Sequence, residues 1–261
     1  MKQTAKTAND KPERKKPGRP RKSQQKEPLT QELIFKAGLQ LSRSVPLQDI
    51  SIVSVARQLD VVPSVLHYYL QGQTFTGRDA LTFGIMNLFF ADLLLHWPAA
   101  DGDWSNRIID AAKALHTHFK QYPGIAAYIV GSSRFRMIAD TEQGHENSGA
   151  VVYERLLTIF RAAGFSVEWS VLYIHLLLES TITNAYSAPR PGVHKSSLAT
   201  QKFDKKDFPN LCAAKSTMLS LNTERTFDEA LKLYMQGLYF KAMELRAGAK
   251  SIESGTDLFS G

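Results

Sequence analysis

One cysteine, Cys212, stands in 261 residues. A lone cysteine excludes an internal disulfide framework and a cysteine-based zinc cluster, and suits a reducing compartment. Long hydrophobic runs are missing too. The most apolar stretch, Leu81 to Trp97, is interrupted by Asn87, Asp92 and His96. It falls short of the ~20 apolar residues of a membrane span and reads as a mostly buried helix. The N-terminus lacks the apolar core of a secretory signal. No strand-like alternation of useful length occurs. Walker loop, GxGxxG and HExxH are all absent, and no nucleophile stands at triad-like spacing from a base, so no cofactor or catalytic residue is assigned.

What the chain has is charge in one place. Residues 1–28 hold ten of the 32 lysines and arginines and three of the 25 acids. That leaves 22 of each sign in the other 233 residues, so the whole net charge of +7 sits in a short arm. A basic arm on a neutral body points to a polyanionic partner. Its low apolar content predicts disorder for residues 1–28. Gly18-Arg19-Pro20 flanked by basic residues resembles an AT-hook, in which Arg19, Arg21 and Lys22 reach DNA. Insertion into a narrow minor groove and simple phosphate attraction both fit it. The body, in a chain 43% hydrophobic and 10% aromatic, has enough apolar residues for a full core.

From Leu29 the spacing becomes helical. Thr30 and Ser51 are cap candidates. Ile34, Ala37 and Leu41 share one face; Val55, Ala56 and Leu59 share the next; Asp60-Val61 is a turn. Val62, Val65, Leu66, Tyr69 and Leu70 form a third inward stripe, which leaves Pro63, Ser64, His67 and Tyr68 outside. Two short helices joined by a tight turn after a longer one describe a helix-turn-helix.

The run Leu29-Thr30-Gln31-Glu32 … Ala37 … Leu41 … Ser51 … Val55-Ala56-Arg57-Gln58-Leu59-Asp60-Val61 … Leu66-His67-Tyr68-Tyr69-Leu70 resembles the DNA-binding part of the tetracycline-repressor (TetR) family. That pattern runs Leu-Thr, an alanine-rich helix, Ser, Val-Ala-x-x-Leu-Gly-Val, then Leu-Tyr-x-His/Tyr-Phe. Asp60 replaces the usual Gly, His67 a Tyr, and Gln73 a phosphate-contacting Lys. The resemblance continues loosely to Arg246, through Asp103-Trp104, Tyr122-Pro123, Ala162-Ala163-Gly164-Phe165 and Phe227-Asp228-Glu229-Ala230-Leu231.

The resemblance implies an all-α protein. Its parts are a basic arm (1–28), a helix-turn-helix domain (29–76), a helical effector-binding and dimerisation domain (77–246) and a flexible tail (247–261). It implies a homodimer on operator DNA, released by an unknown small-molecule effector, in the bacterial cytoplasm, with no membrane partner. Its DNA-contacting residues are Thr30, Ser51, Pro63, Ser64, His67, Tyr68 and Tyr69. Met86, Phe90, Phe119 and His116 are assigned to an effector pocket. His175 and Glu179, at i and i+4 on an apolar helix, form either a polar ligand contact or a hydrogen-bonded core pair. The two C-terminal helices imply an intersubunit four-helix bundle through Val171, Ile174, Leu178, Ile182, Leu231, Tyr234 and Leu238. Two other classes remain open: an architectural A·T-rich DNA binder without effector, and a helical enzyme with a basic tail.

Further starts are predicted at Asp103, Ser148 and Ser166. Thr226 and Glu229 have the spacing of a capping box.

Overall fold

The computed structural model describes residues 28–71, 75–131, 146–187 and 201–256, the last nine of these as backbone. Arg19, Arg21, Lys22 and Gln73 therefore lie outside the described residues. Among those described, ten α-helices and one 3-10 turn occur and no strand. The first trio is α1 (Gln31–Leu41), α2 (Ile52–Leu59) and α3 (Pro63–Tyr69), with the 3-10 turn Leu47–Asp49 between the first two. The body follows as α4 (Gly77–Leu95), α5 (Trp104–Gln121), α6 (Pro123–Gly131), α7 (Ser148–Ala162), α8 (Val167–Tyr186), α9 (Pro209–Ser220) and α10 (Thr223–Thr256). No helix among the described residues is long and apolar enough to cross a membrane.

Local chemistry places most helix starts. Thr30, Asp103 and Ser166 each accept a hydrogen bond from the backbone N–H three residues on, which satisfies a donor the helix leaves open. Two starts depart from expectation. The cap of α7 is Asn147, whose Oδ1 accepts from Ala150 N at 3.0 Å. Ser148 is the first helical residue, and its N–H donates to Asn87 Oδ1 of α4 at 2.9 Å. Thr226 does not open α10 either. Asn222 Oδ1 accepts from Glu224 N at 2.8 Å, so the helix starts earlier and Thr226 lies within its first turn. The Thr226 hydroxyl donates back to Asn222 O at 2.9 Å. At its other end α10 continues to Thr256.

One contiguous core runs from Ile34 in α1 to Ala242 in α10. Phe89 of α4 is at its centre, with the rings of Phe90, His118, Phe119 and Tyr122 at 5.0, 4.4, 4.9 and 5.6 Å. Such ring pairs add roughly 0.5–1.5 kcal/mol each beyond their buried area. Between α7 and α8 the chain turns at Gly164, whose φ of +95° a side chain would strain.

The trio and the body meet closely. A Cβ on Gly84 of α4 would overlap the Phe35 ring of α1, and one on Gly38 would overlap Ile85. Glycine at both positions lets the helices approach at backbone range. At the start of α6, Gly124 N donates to Ser42 O at 2.8 Å. A Cβ on Gly124 would strike the carbonyl oxygens of Val45 and Ser42.

Candidate DNA-reading face and regulatory core

Ser51 and Ser54 close a reciprocal cap on α2. Ser54 N donates to Ser51 Oγ at 3.1 Å, and Ser51 N donates to Ser54 Oγ at 2.9 Å. Asp60 ends α2 in the left-handed region, at φ 55° and ψ 49°, a conformation Asp tolerates better than most residues. Pro63 then opens α3 at its first position, where a missing N–H costs nothing.

Leu66 and Leu70 are fully buried and anchor α3. Ser64, His67 and Tyr68 face outward, Tyr68 at 74% exposure. Pro63 is half-buried. Val62 and Val65, expected in the inward stripe, are exposed instead at 60% and 36%. Leu66 and Leu70, four apart, fix the roll of the helix, and Val65 falls about 100° from Leu66. The outward face therefore combines two apolar valines with a hydroxyl, an imidazole and a phenol. Tyr69 is half-buried and edge-on to Tyr68 at 5.6 Å. Its carbonyl accepts from Gln31 Nε2 at 2.6 Å, tying α3 to the start of α1. Thr30 and Ser51 are exposed, and both hydroxyl oxygens accept cap bonds.

Met86, Phe90, Phe119 and His116 are all buried in the body. His116 Nε2 donates to Asn184 Oδ1 of α8 at 2.9 Å and its ring stacks on Phe227 at 3.8 Å. His118 points to the other side, where Nε2 donates to Phe89 O at 2.8 Å. Burial lowers the pKa of both imidazoles; the bonds to Asn184 and Phe89 pull the other way without cancelling it. His175 and Glu179 are not with this group. Both lie on the exposed side of α8, because Ser170, Ile174, Leu178 and Thr181 occupy its core side.

The residues expected between subunits divide the same way. Ile174, Leu178 and Ile182 are 0–2% exposed and serve the protomer's own core. Leu231 and Leu238 are buried where α10 meets α8. Tyr234 packs there too: its hydroxyl donates to Tyr173 O at 2.7 Å, and burial pushes its pKa far up. Of the expected set only Val171 is exposed, at 42%. The exposed apolar side chains on these helices include Val171, Leu172 and Leu176 on α8 with Leu233, Phe240 and Met243 on α10. A groove of about 390 Å3 runs between the two helices, lined by Leu176, Leu233, Gly237 and Phe240 among others.

Arg43 joins the trio to this body. Its guanidinium lies 5.1 Å from the Tyr122 ring centroid, and Nη2 donates to Tyr122 Oη at 3.5 Å. Tyr122 in turn donates to Asp92 Oδ2 of α4 at 3.4 Å.

The profile of the tetracyclin repressor-like, C-terminal domain family matches residues 98–242. No curated protein matches the chain by sequence. Among solved structures, apo ActR from Streptomyces coelicolor superposes with a TM-score of 0.63 at 22% identity, covering 83% of this chain and 99% of that one. ActR in complex with actinorhodin gives 0.65 at 20%, with the same coverage. A TetR variant from Acinetobacter baumannii AYE in complex with minocycline gives 0.53 at 15%, covering 82% and 99%. At these identities the structures share a fold with this chain.

Proposed function

Because this chain belongs to the tetracycline-repressor-like family, we propose that it is a sequence-specific DNA-binding transcriptional regulator, a repressor that a small-molecule effector releases from its operator. The observation that supports this best is the outward face of α3. Ser64, Val65, His67 and Tyr68 project from a seven-residue helix whose roll Leu66 and Leu70 fix. A hydroxyl, an imidazole and a phenol can hydrogen-bond base edges, and a valine can touch a thymine methyl. Pro63, Thr30, Ser51 and Tyr69 are assigned to the backbone contacts that position this face.

Two copies pair through α8 and α10 in this reading, by the exposed stripe of Leu172, Leu176, Leu233 and Phe240. A two-fold dimer sets two reading helices about one turn of DNA apart, ~34 Å. Residues 1–28 supply phosphate attraction, since four bases and four acids cancel over residues 29–80.

The effector acts by population shift, favouring one spacing of the reading helices by its difference in affinity for the two. Met86 and Phe90 on α4 with His116 and Phe119 on α5 are the residues whose repacking would move α4. Movement reaches the trio by the Gly38–Ile85 and Gly84–Phe35 contacts and by the Arg43–Tyr122–Asp92 bonds. The liganded neighbours favour this reading over an architectural DNA binder: ActR is known with actinorhodin, and the Acinetobacter TetR with minocycline. Regulation, not catalysis, is the work assigned, at DNA in the bacterial cytoplasm.

Selection of bound duplexes from a random pool tests the reading. A two-fold consensus with half-sites one turn apart is expected. Enrichment of A·T-rich DNA without a dyad would favour the architectural class, and no enrichment at all would reject sequence reading altogether.

A further inference from the structure

Just after α4 ends, far along the chain from the reading face, a cleft of about 320 Å3 opens between the segment that follows it, α5 and α7. Trp97 and residues 98–100 form one wall, Arg107 of α5 a second, and Arg155, Thr158 and Ile159 of α7 the third. Two guanidiniums in one cleft is an unusual concentration of charge in a body whose acids and bases balance.

Neither arginine has an ion pair among the described residues. The ion pairs among the described residues are Lys36–Glu32, Lys120–Glu224, Lys232–Glu229 and Lys241–Glu244. Arg107 Nε is buried and has no hydrogen-bond partner. A buried guanidinium N–H without an acceptor is costly and rare in native proteins. Asp103, one turn earlier, makes no ion pair with it among the described residues; its Oδ1 accepts from Ser105 Oγ at 2.7 Å and Asn106 N at 2.9 Å. The Arg155 guanidinium lies 5.9 Å from the Trp97 ring centroid. That contact holds the charge in place without satisfying its donors.

The rest of the lining is apolar: Pro98, Ala99, Ala100, Ile159 and the Trp97 indole. Thr158 has donated its hydroxyl proton to Glu154 O, at 2.9 Å. The charged donors in the cleft thus belong to the arginines, which present planar forks suited to a planar oxyanion. A ligand needs an acceptor-only anionic end and a flat apolar body.

We propose that this cleft binds a small aromatic carboxylate, with its carboxylate between Arg107 and Arg155 and its ring against Trp97 and Ile159. Binding draws the segment that follows α4 toward α5 and α7, since each contributes a wall. The site stands on the cleft itself; its consequence for operator release rests on the regulator reading above.

Calorimetric titration of the full chain with 1-naphthoate tests it, with the neutral 1-naphthalenemethanol and inorganic phosphate as the comparison arms. Saturable one-to-one binding of naphthoate is expected, weakened about tenfold or more by Arg107→Gln or Arg155→Gln, the usual scale for a charge-assisted bond. Trp97→Leu is expected to weaken naphthoate as well. Arg155 is exposed, so its variant keeps the fold, and an unchanged melting temperature verifies that. The site is refuted if naphthoate does not saturate, if the double arginine variant binds it as tightly, or if the alcohol binds equally well. Phosphate binding as tightly as naphthoate would refute the aromatic half. Gel shift on selected DNA is read separately. Naphthoate binding without release rejects the coupling alone, and failure to select any operator rejects the regulator reading alone.

Discussion

Phe240→Ala separates the face that pairs two copies from the core that holds one. Phe240 is 61% exposed on α10, beside Leu233 and the groove against α8. A phenylalanine offers roughly 150–250 Å2, so the share open to a partner is about 90–150 Å2. At ~25 cal/mol per Å2 this is worth roughly 2–4 kcal/mol per copy when fully covered. Two-fold symmetry uses the residue twice, and the loss becomes about 4–8 kcal/mol, or several powers of ten in the dimer dissociation constant. Ile174→Ala is the matched control. Ile174 has no exposure, so its truncation leaves a cavity costing about 2–5 kcal/mol of folding stability. Sedimentation velocity across a dilution series reads the first effect, and thermal unfolding the second. Phe240→Ala is expected to yield monomers with a nearly unchanged fold; Ile174→Ala is expected to yield dimers that melt earlier. The reverse pattern would show that the wrong side of these helices has been assigned to the partner.

Three further outcomes follow from the geometry. Ser64→Ala or Tyr68→Ala should cost about 1–3 kcal/mol of discrimination if these groups reach bases; competition between operator and scrambled DNA checks it, and unchanged discrimination refutes the assignment. Removing residues 1–26 should flatten the dependence of log affinity on log salt, because the arm holds the net charge of +7; an identical slope defeats that. His116 and His118 have pKa values lowered from 6.5 by burial, so the unfolded chain binds more protons than the folded one. Their contribution to stability is complete above about 6.5 and declines as pH falls toward the folded values. Melting temperatures from pH 8 to 5 should drop, and less steeply in His118→Gln; equal slopes in both proteins would count against it.

Much of the fold was legible because its punctuation is local. Thr30, Ser51, Asp103 and Ser166 act on N–H groups three residues away, and Asp60 shapes its own backbone. A cap is ambiguous only where two candidates adjoin or compete. Asn147 next to Ser148 and Asn222 ahead of Thr226 are such cases, and in each the asparagine takes the cap. The reading face was legible at Ser64, His67 and Tyr68. It was not at Val62 and Val65, because hydrophobicity alone assigns a valine inward. The same limit applies with more force to α8 and α10. Both helices are apolar on two sides, one packed within the protomer and one exposed. The resemblance pointed to the stripe of Ile174, Leu178 and Ile182, and apolar content gives no sign of which stripe the chain itself consumes. His175 and Glu179 were misplaced for that reason, since a polar pair on an apolar helix looks internal only if both sides are internal. The Trp97 cleft has no sequence signature: its residues come from three separate segments, and its two arginines are 48 positions apart.

The seam at Gly124 bears on how far a disturbance in the body can travel. Most contacts between helices are made by side chains, and side chains yield: a rotamer change absorbs a small displacement before any backbone feels it. At Gly124 no such cushion exists. An amide of α6 meets a carbonyl of the segment after α1 at 2.8 Å, with no space for even one methyl group between the chains. Displacements there have no slack to take up, and α1 must follow α6 or the bond must break. A stiff bearing passes small inputs on undiminished, which makes the first turn of α6 a place where a small chemical change would disconnect sensing from reading.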